Sequence, residues 1–340
     1  MDTPPTGRNA RWRSFVARHL FAYLAGLAAL VVVVSAVFAR DELALAADRF
    51  ALPWLPVVLG LTLLNYALRF WKWTWLLEGA GVHVRTAANA RLYYACLAMV
   101  VTPARLGELY KLVFLRKLHG VAAHRSLPPL VMERITDALA VLALISAQPF
   151  GPAAAAGAVG VAVGAMVVVA ALLGQPRPRA WTLRALASVP GLRSRRERVG
   201  ALLEGHADLL RPRIFGPSLV ASTVAWWAEC LGLGLICRAL GEPIALVDAT
   251  WVYATATLLG NLTFLPGGLV GTEASLLALL RNLGVTEAGA VGATALVRGA
   301  TLWFAVLLGL AVTIVFRRRL RWDEVTAEAT TTADDADSTP

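Results

Sequence analysis

Charge is scarce in this sequence: 16% of its 340 residues are Asp, Glu, Lys or Arg, against 58% hydrophobic. A soluble domain carries about a quarter charged residues on its surface, so this composition excludes one and points to a multi-pass membrane protein. Cysteine is scarcer still. Cys96, Cys230 and Cys237 sit in apolar runs without the spacing of metal ligands, so they read as packing residues and no metal is expected. No glycine-rich phosphate loop is present, which excludes an ATP-driven pump, and no cofactor is implied. The first apolar run has no small-residue cleavage site after it and reads as a signal anchor.

Acidic residues are outnumbered, 22 to 32, leaving a net charge of +10. Nucleic acid would be the obvious partner of such a balance, but no stacking-aromatic or fold signature accompanies it. The basic residues collect instead at Arg8 to Arg18, around Arg116, Lys117 and Arg125, across Arg177 to Arg213, and at Arg317 to Arg321. That is the positive-inside bias of cytoplasmic segments beside an anionic inner leaflet. It places both termini in the cytoplasm and the chain in the cell membrane.

Six runs approach the ~20 residues that cross a bilayer: 20–38, 52–72, 127–147, 153–173, 214–237 and 287–316. The second ends in Arg69-Phe70-Trp71-Lys72-Trp73-Thr74-Trp75, an aromatic and cationic belt suited to the interface. Glu229 lies deep in the fifth run, facing the bundle interior or snorkelling outward. Two further stretches are broken by helix-disrupting residues. Residues 89–118 divide at Thr102-Pro103, and 248–283 divide at Pro266-Gly267-Gly268. The sequence therefore predicts an all-α polytopic membrane helix bundle of about six full spans plus two re-entrant helical hairpins, with eight spans as the alternative. Residues 1–19 form a basic cytoplasmic segment, 20–316 the membrane domain with its basic loop 174–213, and 317–340 a mostly disordered cytoplasmic tail.

Irregular backbone at membrane depth survives only where protein buries it or a polar cavity adjoins it, so both breaks are candidate sites. After Pro103, Arg105, Glu108 and Lys111 follow at intervals of three and share a helix face. Glu133 and Asp137 lie one turn apart, with Arg134 on an adjoining face. Paired carboxylates suit acid–base chemistry, yet no nucleophile or metal ligand joins them. Pairing with Arg105 or Lys111 across helices is the better reading, and no catalytic residue is assigned. At the second break, Pro266, Gly267, Gly268, Gly271 and Glu273 precede Arg298 on the last span.

In that order, Pro103-x-Arg105-x-Gly107-Glu108, Glu133-Arg134-x-x-Asp137, Pro266-Gly267-Gly268-x-x-Gly271-x-Glu273 and Arg298 before Trp303 resemble the lysylphosphatidylglycerol synthase transmembrane region. This flippase-like family includes the membrane half of the multiple peptide resistance factor and many stand-alone proteins. Val270 and Thr272 around Gly271 depart from its pattern. The resemblance implies translocation, or help in translocation, of a polar phospholipid or lipid-linked substrate between leaflets. The soluble aminoacyl-transferase domain of the two-part synthases is not found in the sequence, so lysine transfer is not expected. On the joint reading, Arg105, Lys111, Arg134 and Arg298 contact a lipid phosphate. Glu108, Glu133, Asp137 and Glu273 hold those cations or meet a cationic headgroup. Two other classes stay open: a membrane-embedded lipid-modifying enzyme, and a non-catalytic scaffold for one. A second copy of the chain or a lipid-processing enzyme is the protein partner such a scaffold would take.

Overall fold

The computed structural model describes residues 40–102, 108–146, 160, 164, 205–263 and 265–320. The expected first span, nearly all of the fourth, Pro103 to Gly107 with Arg105, most of the basic loop and the tail lie outside the described residues. Within them the chain is helical and has no strand. Ten α-helices are named here: α1 (Arg40–Arg49), α2 (Leu55–Gly79), α3 (Thr86–Cys96), α4 (Tyr110–His119), α5 (Ala123–Ser146), α6 (Pro212–Ala239), α7 (Leu246–Leu262), α8 (Gly271–Asn282), α9 (Glu287–Arg298) and α10 (Phe304–Leu320).

Three continuous helical stretches are long and apolar enough to cross a membrane: Leu52–Gly79, Pro212–Ala239 and Glu287–Leu320. At 1.5 Å per residue even the shorter two reach about 42 Å, beyond the ~30 Å hydrocarbon core. Helix α5, at 24 residues, is also long enough, but Glu133, Arg134 and Asp137 interrupt its apolar run. The longest stretch joins α9 to α10 through a π-helical turn, Gly299–Trp303. Such turns frequently mark functional positions inside helices.

Helices α3 and α4, of 11 and 10 residues, reach only about 16 Å each. Neither crosses a bilayer alone. Helices α7 and α8 pack along one another, so the chain folds back on itself at Pro266–Gly268. The turn requires glycine. Gly267 and Gly268 both have positive φ, 60° and 66°, which costs a residue with a Cβ far more than glycine. Val270 then opens α8 at φ 69°, an outlier for a β-branched residue and a site of stored strain.

Helix α6 is the centre of the bundle, packed against α2, α5, α7 and α9. Its inward face carries Trp226, Cys230, Leu233, Ile236 and Cys237, which join Val252, Leu276 and Ala293 in the larger core. A second core gathers Trp73, Leu77, Leu92, Tyr93, Phe114 and Leu115 beneath α10. There α10 approaches the turn after α3 so closely that a Cβ on Gly309 would lie 2.8 Å from the Cα of Ala98. Small residues that permit such approach replace hydrophobic driving force between helices in lipid.

Gly309→Ala is therefore expected to lower stability by about 1–3 kcal/mol through overpacking. Gly216→Ala, a helical position with nothing within 4 Å of the new Cβ, should raise it by up to about 1 kcal/mol. Thermal unfolding of both variants in the same detergent measures the contrast.

Candidate functional site

Two charged centres form, and a polar cavity adjoins them. The first is built on α5. Glu133 and Asp137 project from the same face into the junction of α2, α4 and α6, where Glu133 is fully buried and Asp137 is 5% exposed. Lys72 on α2 is also fully buried. Its Nζ lies 2.5 Å from Asp137 Oδ1 and 2.7 Å from Ser222 Oγ on α6. The Ser222 hydroxyl donates onward to the same carboxylate oxygen at 3.0 Å. Arg69, one turn before Lys72, donates from Nη2 to Asp137 Oδ2 at 3.0 Å.

Glu133 takes its partners from elsewhere. Lys111 on α4 donates to Oε2 at 3.0 Å, with its ammonium 4.5 Å from the ring centre of Tyr93 and 4.9 Å from that of Trp73. Cation–π attraction is strongest where water is excluded, as here. Arg134 Nη2 sits at 3.0 to 3.3 Å from Glu133, Asp137 and Glu108. Glu108 and Lys111 thus both reach across to α5, and no ion pair between the two of them is found. Four cations (Arg69, Lys72, Lys111 and Arg134) meet three carboxylates, leaving one formal positive charge.

Removing these groups from water costs several kcal/mol per ion, which mutual attraction only offsets when each is fully paired. A buried cluster of this size is poor evidence for added stability. Intramembrane charges that persist in pairs mark pathways or sites.

The second centre lies at the folded-back turn. Arg298, the last residue of α9, donates from Nε to Glu273 Oε1 at 2.7 Å and from Nη2 to the carbonyl of Gly267 at 2.8 Å. Glu273 stands in the first turn of α8, where a carboxylate is favoured by the helix dipole. Arg298 holds the Pro266–Gly268 turn and the start of α8 together. Gly271 is required by packing, since a Cβ there would lie 3.2 Å from the Cα of Gly260.

A cavity of about 80 Å³ runs beside both centres, lined by Arg69, Glu229, Tyr253, Gly267, Thr272 and Arg298 among others. It has room for a handful of waters and is smaller than the ~300 Å³ at which small-molecule pockets begin. Tyr66 donates to the carbonyl of Thr301 inside the π turn at 2.6 Å. Glu229, 5% exposed, faces the interior and lines the cavity with Tyr253.

Of the residues singled out from sequence, Glu108, Lys111, Glu133, Arg134 and Asp137 come together in the first centre. Gly267, Glu273 and Arg298 come together in the second, with Gly268 and Gly271 shaping the turn. Arg105 lies outside the described residues. The belt Arg69 to Trp75 requires correction. Lys72 and Trp73 are fully buried, and the Trp73 indole donates to Asn89 at 3.1 Å. Arg69 and Lys72 are partners of Asp137, not interfacial anchors, and Trp71, 45% exposed and stacked on Trp75, keeps more of the expected character. Helix α2 runs on to Gly79, which carries the belt inward. The available signal was periodicity: Arg69, Lys72 and Trp73 fall at i, i+3 and i+4, one face of a continuing helix.

The family model for the lysylphosphatidylglycerol synthase transmembrane region matches residues 21–309. The chain belongs to this family. It is therefore a membrane protein, of a family connected with lipid metabolism or transport. A UPF0104 membrane protein from Methanothermobacter thermautotrophicus is 30% identical over 90 residues, 26% of this chain and 27% of that relative. The match thus spans about a quarter of that relative's length.

Lys72→Met should cost about 3–5 kcal/mol, because it leaves Asp137 buried and short of a cation. Lys72→Met combined with Asp137→Leu should recover part of that loss. Denaturant unfolding of the single and double variants gives the coupling energy, and an equal loss in both would contradict the pairing.

Proposed function

We propose that the chain carries a polar lipid headgroup between leaflets through the cavity beside Arg69 and Arg298, while the acyl tails stay in the bilayer. The observation that carries the reading is one polar cavity lined by charged residues from α2, α6 and α9 and by the broken Pro266–Gly268 turn. Discontinuous elements that meet at a polar cavity are the usual place for a transporter's substrate. Glu273 and Arg298 tie the turn to α9, so that the turn moves with that helix and widens a cavity too small to admit a whole headgroup. Transport is passive or ion-coupled.

The chain sits in the cell membrane with both termini cytoplasmic, in keeping with the basic clusters at its two ends, and anionic inner-leaflet lipids gather there. A lipid-modifying enzyme is the weaker reading for a specific reason. Glu133, Asp137 and Glu273 each lie against a cation, which favours a pinned carboxylate over one free to exchange a proton.

Reconstitution of the purified protein into phospholipid vesicles with a headgroup-labelled fluorescent phospholipid tests this. The intact chain should expose inner-leaflet label to a membrane-impermeant quencher. Glu273→Ala and Arg298→Ala should slow exposure at least about tenfold, the worth of one charge-assisted hydrogen bond. Chemical turnover of the lipid without leaflet exchange would overturn the transport reading in favour of an enzyme. Neither activity in the pure protein would leave the scaffold reading and direct attention to a lipid-processing partner.

A further inference from the structure

Two N–H donors beside the cavity have no acceptor. Arg69 Nε and Trp226 Nε1 are buried, and neither finds a hydrogen-bond partner among the described residues. Both side chains line the cavity. The Arg69 guanidinium carbon lies 5.5 Å from the centre of the Trp226 ring, so the donors share one neighbourhood. Trp226 is 6% exposed, and the indole N–H is its sole polar group, a donor with no acceptor capacity. Buried donors are almost always satisfied in native proteins, and each exception calls for an explanation.

Neighbouring donors are already engaged. Asn65 donates to the carbonyl of Ala225 at 2.8 Å, Tyr66 to Thr301, and Arg298 to Glu273 and Gly267. Lys72 and Lys111 donate to Asp137 and Glu133; Arg134 Nε and Nη2 also lack a hydrogen-bond partner, but Arg134 is not part of the cavity lining. Arg69 differs, because Asp137 occupies Nη2 and orients the guanidinium without using Nε. The surrounding ion cluster carries a formal positive excess, which favours an incoming anion.

We infer that Arg69 and Trp226 form a subsite for a phosphate oxygen, taken up through the Arg69 Nε–H and Trp226 Nε1–H. The cavity as it stands fits a phosphate group without the rest of a headgroup. Insofar as that phosphate belongs to a lipid, the assignment rests on the proposed transport function; free inorganic phosphate is the other source of the same chemistry.

The test uses the full chain in detergent with inorganic phosphate, followed by calorimetry, alongside the vesicle assay with labelled phosphatidylglycerol. Trp226→Phe keeps the ring and deletes one N–H. Arg69→Lys keeps a cation for Asp137 and deletes the other. Each should weaken phosphate about tenfold. Weaker phosphate binding together with slower lipid exchange in the first two variants supports the subsite as one for lipid phosphate. Phosphate binding that depends on Arg69 and Trp226 in a protein that exchanges no lipid supports the subsite for free phosphate and removes the transport reading. Lipid exchange with phosphate affinity unchanged in both variants overturns the subsite and leaves transport standing. No phosphate binding by the intact chain also overturns it.

Discussion

Asp137 is tolerable inside this bundle only because two other helices and its own supply what water would have supplied. Lys72 and Arg69 reach it from α2, Ser222 from α6 and Arg134 from α5 itself, while Glu133 draws Lys111 from α4. Desolvation makes this a strict condition: a shift of α2 by one residue along its axis would remove two cations from a carboxylate that would keep only Arg134 and Ser222. The cluster thereby specifies how α2, α4, α5 and α6 register, in a setting where hydrophobic contact alone discriminates poorly between registers. Apolar packing of Ala, Cys and Leu on α6 follows that alignment.

Arg69 links this cluster to the cavity, since one guanidinium both holds Asp137 and lines the polar space beside Trp226. Arg298 has the corresponding place at the second break, where it joins the α8 carboxylate to the turn backbone. Around it sit the irregular features of the chain: positive φ at Gly267, Gly268 and Val270, and the π turn after Arg298. Regular helices hold the first centre and strained backbone holds the second. The half built on strained backbone is the one whose motion changes the cavity at least expense.

Much of the membrane architecture was legible from residue types alone. Apolar length announced the stretches that became α2, α6 and α9 to α10, and Pro266-Gly267-Gly268 announced the place where α7 and α8 fold back. Glu133 and Asp137 could be placed on one face because helix geometry is local. Their partners were harder to read. Arg69 and Lys72 stand 68 and 65 residues before Asp137, and a run of Trp, Arg and Lys near a span end looks the same whether it meets lipid headgroups or a buried carboxylate. Trp226 gave no signal at all, because an indole N–H becomes noteworthy only when its surroundings lack an acceptor.

The amino-acid sequence by itself determined that the chain is helical, that it belongs in a membrane and that two of its elements are broken. Those properties depend on hydrophobicity, proline and glycine summed over neighbouring residues. Tertiary structure alone decided which charges pair, that Lys72 is core while Trp71 is surface, and that Arg69, Trp226, Glu229 and Arg298 share one cavity. Ion pairing and desolvation act over a few ångströms in space between residues tens to hundreds apart in the chain, and only the packed bundle brings them within that reach.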